Sequence, residues 1–266
     1  TGAQAGELST LQNLLGAILL WVIAASVEGL IVVRSATIRQ LTKLMLVGCL
    51  LGLTGAFYYV ALTEMTAGMG IILLFQFVWL GMLLEYALDR RRPGKHSIMA
   101  LLLIIPGTLL AVGGQFQSAA ASWWGIVLGL LSALTYAAFI YASGRIATEV
   151  PAWTRSAVVV TGATLINLVC FPPFYLLEAG LAQAWPITLL WGSLMGIFGP
   201  VIPTVCLAFG VPVIGAGLAS VLCAVELPTV IATAWLFLGE QVKLPQWLGA
   251  LAIVGGIVVS ERKKES

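Results

Sequence analysis

The chain has 266 residues, 60% of them hydrophobic and 9% charged, with a mean hydropathy of +1.04 and a formal net charge of +2. Soluble domains are about 45–50% apolar and about 25% charged, so this composition excludes a water-soluble enzyme. Disorder is excluded because it needs low hydrophobicity and high charge, and +2 is too small a charge to argue for nucleic acid.

Hydropathy divides the chain into nine apolar segments: 14–33, 44–63, 67–88, 98–114, 123–146, 157–177, 188–211, 216–238 and 244–260. Each is near the roughly 20 residues that cross a bilayer as a helix. The runs are continuous and do not alternate, which excludes barrel strands. Thr1 to Ser9 is polar, has no basic residue and reads as a loop outside the membrane. A cleaved signal is not expected, since the first run has an acidic flank and resembles the other eight.

Several spans carry polar residues that would be costly facing lipid. The first contains Glu28, expected to make an ion pair or to face the cytoplasm. The second has Gly48, Gly52 and Gly55, with Thr54 and Tyr58 one turn apart. The third holds Gln76 with Trp79 one turn on, and Glu85, expected to pair with Arg90–Arg92. The fifth has Ser132, Thr135 and Tyr136 at helical spacing. The eighth carries Glu226, the sharpest single residue, followed by Pro228, Thr229 and Thr233. A carboxylate there should face the interior or water, where it could carry a proton. Pro228 removes one backbone donor and predicts a slightly broken stripe. Cys49, Cys170, Cys206 and Cys223 all lie in apolar runs without a CxxC pair, so neither a zinc site nor a redox pair is expected. No cofactor or metal is expected, and no P-loop points to ATP.

Twelve of the thirteen Lys and Arg residues follow the odd-numbered spans on one side, against Lys243 alone on the other. Basic loops stay in the cytoplasm, so the C-terminus is read as cytoplasmic and Thr1 as outside. The Trp residues at span ends, Trp123, Trp124, Trp153, Trp185 and Trp247, read as interface anchors.

The chain also repeats itself. Gly48-xxx-Gly52-xx-Gly55 in the second span matches Gly192-xxx-Gly196-xx-Gly199 in the seventh. Each is followed by a small-residue stretch, a long span with one strongly polar residue near its middle (Gln76 and Glu226), a polar turn and a closing span with Pro106-Gly107 or Gly255-Gly256. The paired spans run in opposite directions, so the halves 1–115 and 122–266 are inverted repeats, a common build for secondary transporters with the substrate at the midplane. The preferred reading of the glycine stripes is close helix packing, with sliding as the functional addition.

Three stretches carry a resemblance: Gly129-Leu-Leu-Ser-Ala-Leu-Thr-Tyr-Ala-Ala-Phe-Ile-Tyr141, Ile214-Gly-Ala-Gly-Leu-Ala-Ser220, and Leu236-Phe-Leu-Gly-Glu240 leading into Trp247-Leu-Gly-Ala250 and Gly255-Gly256. They resemble the EamA branch of the drug/metabolite transporter superfamily. The resemblance implies an all-α polytopic membrane protein of ten helices in two inverted repeats of five, both ends cytoplasmic. The nine spans then correspond to helices 2–10, with the first helix absent. Leu88-Asp89 stands where the pattern has Gly-Glu.

Together these readings give a secondary transporter of the inner (plasma) membrane, exporting a small metabolite such as an amino acid or aromatic compound by alternating access. Few fixed charges favour a neutral or zwitterionic substrate with an apolar part. Glu226, Gln76, Trp79, Tyr136, Ser132, Thr135, Tyr58, Thr54 and Thr229 are the candidate substrate-binding residues. The expected partners are that substrate and the lipid bilayer, with uniport or proton coupling, as a monomer or homodimer and without nucleic acid. A channel or non-catalytic scaffold is the alternative. A membrane enzyme has little support, because the only histidine, His96, sits in a basic loop and no acidic cluster lies within a span.

Overall fold

The structure, a computed structural model, describes residues 5–29, 36–90, 94–112, 122–173, 190–238 and 242–261. Arg34, Arg91, Arg92, Trp185, the Gly239-Glu240 turn and Arg262–Lys264 lie outside the described residues. The described residues are helical, without strands: α1 Ala5–Val27, α2 Ile38–Ala61, α3 Ala67–Leu74, α4 Phe77–Asp89, α5 Lys95–Val112, α6 Trp123–Ser143, α7 Ala152–Cys170, α8 Leu190–Ile214, α9 Ala216–Cys223, α10 Glu226–Leu238 and α11 Leu244–Glu261. Seven segments, counting α3–α4 and α9–α10 as one each, are long and apolar enough to cross a membrane, and α5 and α11 are shorter apolar helices.

Two boundaries differ from the hydropathy reading. The first span begins at Ala5: Ser9, expected in an outside loop, is buried with Thr10 and Asn13 on the packed face of the helix. The sixth spans Ala152–Cys170 and does not reach residue 177, since Phe171 is extended before Pro172-Pro173. Arg155, expected in a basic loop, is consequently inside α7, 4% exposed, and its Nη2 donates to the Ala208 carbonyl of α8.

The chain divides into two compact units, and each draws on both sequence halves. The first unit takes Thr1–Tyr59 and Ala142–Val213. In it α1 and α7 pack together around Ala17, Leu20, Ala157, Val160 and Val201. The glycine stripes do the packing. A Cβ on Gly48 or Gly52 of α2 would stand against the Val159 or Ala163 carbonyl of α7. A Cβ on Gly192 or Gly196 of α8 would meet Leu11 or the Gln12 carbonyl of α1. A π turn at Ile197–Val201 accommodates Pro200, which lacks the donor an α-helix needs there. Glu28 caps α7: its carboxylate accepts the Trp153 and Thr154 amides at 2.9 Å each and the Thr154 hydroxyl at 2.6 Å. That is a stronger use than an ion pair, because it satisfies donors that every helix start leaves open and sets negative charge at the positive end of the dipole.

The second unit takes Val60–Tyr141 and Ile214–Ser266. Here α5 and α11 pack most closely, over small residues: Gly107 lies on the Gly249 carbonyl, and Gly256 lies on the Ala100 carbonyl. The α6 glycines Gly125 and Gly129 rest on Glu64–Met65 and Leu73. Gly81 of α4 sits on Ser220 of α9, and one turn further along, Glu85 accepts the Gly217 amide at 2.8 Å. The sequence reading placed Glu85 with the arginine turn, of which Arg91 and Arg92 lie outside the described residues; what is described is its bond to the start of α9.

Candidate functional site

The third and eighth spans are not single helices. Each is eight residues of helix, a two-residue break and thirteen more residues of helix. The breaks fall at Phe75-Gln76 and Ala224-Val225. Superposed by this register, Gln76 corresponds to Val225 and Glu226 to Phe77, one residue away from pairing the two polar residues directly.

At the first break the backbone tightens, the Gln76 amide turning to Leu73 O at 3.2 Å. The Ile72 carbonyl, which an unbroken helix would give to that amide, receives the Gln76 side-chain Nε2 at 2.9 Å instead. Gln76 Oε1 then accepts the Trp79 indole at 2.8 Å. One side chain thus stitches the break and orients the neighbouring indole. At the second break Pro228 has no amide to offer Ala224 O, which takes a long 3.4 Å bond from Leu227 N. The Thr229 hydroxyl covers the Val225 carbonyl at 2.8 Å. Glu226 opens α10, where its negative charge suits the helix start.

Tyr136 of α6 connects the two breaks. Its ring meets Phe77 edge-on, with centroids 4.8 Å apart, and stacks on Phe139 at 6.0 Å. It also lies within electrostatic range of Cys223 and Glu226. The antiparallel α4–α9 contacts, Glu85 with Gly217 and Gly81 with Ser220, lead toward the same place. Carried one turn further, that register sets Phe77 beside Ala224, and both are buried at 1% and 0% exposure.

Seven of the nine candidate residues belong to this unit: Gln76, Trp79, Ser132, Thr135, Tyr136, Glu226 and Thr229. Gln76, Trp79, Tyr136 and Glu226 are drawn to the breaks. Ser132 is buried, and the Thr135 hydroxyl donates to the Leu131 and Ser132 carbonyls of its own helix at 3.0 Å. Thr233, like Thr229, donates within its own helix. Thr54 and Tyr58 belong to the first unit, where Thr54 bonds Leu50 O at 2.9 Å and Tyr58 packs its ring near Tyr59.

Sequence reasoning passed over a second polar group, in the first unit: Ser9, Thr10, Asn13, Tyr59 and Asn167. Composition places Ser9 in a loop and says nothing of Thr10 or Asn13, and Asn167 lies inside an apolar run. The available signal was Asn167 itself, a full amide in the middle of a span, together with the one-turn spacing of Ser9 and Asn13. Among the described residues no group of three or more His, Cys, Asp or Glu side chains could hold a metal ion.

Long apolar helices, two of them broken near polar side chains, define a multi-pass membrane protein. The family comparison makes this specific. The model of the EamA-like transporter family matches residues 123–261, and the chain belongs to that family, within the drug/metabolite transporter superfamily. It is thus a membrane transporter. A solved crystal structure of another protein is similar over 100% of this chain and 91% of its own, with a TM-score of 0.78 at 19% identity, a likeness of fold. No curated protein matches the chain.

Proposed function

We propose that the protein is a secondary transporter that exports a small neutral or zwitterionic metabolite across the plasma membrane by alternating access, with its binding site at the breaks of α3–α4 and α9–α10. The observation that carries this reading is Tyr136 lying against Phe77 just after one break and within range of Glu226 just after the other. Broken helices in a transporter offer half-helix starts to anionic groups and a carboxylate to cationic ones. An amino acid presents both charges at one end and an apolar part at the other. Glu226 suits the ammonium, the start of α4 suits the carboxylate, and Trp79 and Tyr136 supply flat walls.

Reciprocal packing supports inverted repeats. Adding 149 to residues of α3–α5 gives their counterparts in α9–α11, and under that shift the Gly107–Gly249 contact becomes Gly256–Ala100, which is the other contact between the same two helices. The α2 stripe packs on α7 and the α8 stripe on α1, a reciprocal arrangement of the other helices. The asymmetry of basic residues supports a cytoplasmic C-terminus.

A thermal-shift screen of amino acids and aromatic metabolites, followed by liposome counterflow of the hits, tests the reading. Glu226→Gln should fold normally, weaken counterflow at least tenfold and flatten its dependence on pH. Wild-type counterflow by Glu226→Gln at two pH values removes Glu226 from the mechanism, and the same result from Tyr136→Leu removes the site.

A further inference from the structure

We propose that the first unit holds a single monovalent cation of the sodium class, bound by neutral oxygens around Asn167. Asn167 is 1% exposed, and its Oδ1 is buried without a hydrogen-bond partner. Its Nδ2 is committed to Ser9 Oγ at 3.2 Å, and Ser9 also bonds Tyr59. An orphaned buried acceptor costs about 1–3 kcal/mol, so a fold that keeps one calls for something to fill its lone pairs.

Gly55 keeps room beside that oxygen. A Cβ there would stand 3.9 Å from Ser9 Oγ and 4.0 Å from both ends of the Asn167 amide. The surroundings are rich in acceptors. The Thr10 hydroxyl alone is shared by the carbonyls of Gly6 at 3.3 Å, Asn167 at 3.1 Å and Phe171 at 2.7 Å. Among the described residues, Asn167 Oδ1 is the buried side-chain oxygen left without a donor. A water molecule would give Oδ1 a proton but add lone pairs of its own, whereas a cation adds none. Asn167 Oδ1, Ser9 Oγ and the carbonyls around Thr10 are neutral oxygens, and calcium or magnesium is usually held through Asp or Glu.

The test uses the full chain in lipid nanodiscs, comparing sodium chloride with choline chloride at equal ionic strength. Sodium should raise the melting temperature saturably, by about 2–4 °C once it exceeds its dissociation constant several-fold. Radioactive sodium should bind at one site per chain. Gly55→Ala places a methyl in ordinary contact with its neighbours, so the variant should fold and melt at least as high as wild type in choline. It should lose the sodium-specific rise and the bound label. Equal melting in both salts without bound label overturns the proposal and leaves a water site, as does a Gly55→Ala protein that keeps the full sodium response.

Discussion

The two units use one device on helices of different length. In the first, Glu28 receives three donors at the start of α7, a helix that runs unbroken from Ala152 to Cys170. In the second, Glu85 receives the Gly217 amide at the start of α9, a helix of eight residues that stops at a break. Both acids sit toward the C-terminal end of a span and hold the beginning of another. The difference teaches where rigidity is placed. The first unit secures whole helices by caps and glycine contacts, whereas the second secures half-helices and leaves a bend between them, beside its polar side chains.

The comparison is broken most severely at a glycine. Gly48→Leu drives a side chain into the Val159 carbonyl and should cost about 3 kcal/mol, read as loss of folded, monodisperse protein in detergent. The caps come next. Glu28→Ala should cost about 2 kcal/mol in thermal unfolding and Glu85→Ala about 1 kcal/mol. Equal losses for the two would erase the contrast between the units. Glu85→Ala should change counterflow rate more than it changes stability, because its bond joins pieces on either side of the bends.

A smaller effect sharpens the reading of the last helix. Gly256→Ala pushes against Ile104 and the Ala100 carbonyl and should cost about 1 kcal/mol. Gly255→Ala has no heavy atom within 4 Å of its new methyl and should gain up to about 1 kcal/mol through helix propensity. Melting curves of the pair decide whether the Gly-Gly motif is one contact or two.

The smallest effect lies at the exposed start of α2. Gln40 Nε2 donates to Glu149 at 2.8 Å, and that bond, more than the nearby Lys43 and Arg155 charges, holds the exposed Glu149 carboxyl below the usual carboxylate range. A lowered carboxylate pKa adds stability above the unfolded value of 4.5 and loses it as pH falls through the folded value. Gln40→Ala also removes the acceptor of the Thr37 amide and hydroxyl at the start of α2, a loss independent of pH, so it should lower melting in acid and lower it marginally more at pH 7.

Much of the fold was legible because crossing a bilayer demands long apolar runs, and hydropathy measures those directly. All nine runs correspond to helical segments. Their faces were not legible. Ser9 looks like a loop residue in composition, yet it and Thr10 point into a packed interior. Pro228 marked the second break, but Phe75-Gln76 contains neither glycine nor proline, so the first gave no local sign. The bond of Glu85 to the open amide of a helix start 132 residues away could not be read from the chain, where the arginines are its conspicuous neighbours. Gln76, Trp79 and Glu226 could be chosen because polar groups in apolar spans are conspicuous. The role of Tyr136 in joining them depends on a contact across helices that no spacing reveals.

The interleaved glycines of α5 and α11 have a mechanical consequence. Gly107 rests on the Gly249 carbonyl, and Gly256 rests on the Ala100 carbonyl at the other end of the same pair. Sliding one helix along the other by a single residue, about 1.5 Å, would lift both notches out of register and drive side chains into backbone. The pair behaves as one strut, able to tilt as a body but not to telescope. Within that unit a change of shape would be taken up by bending beside the strut, where α3–α4 and α9–α10 carry joints.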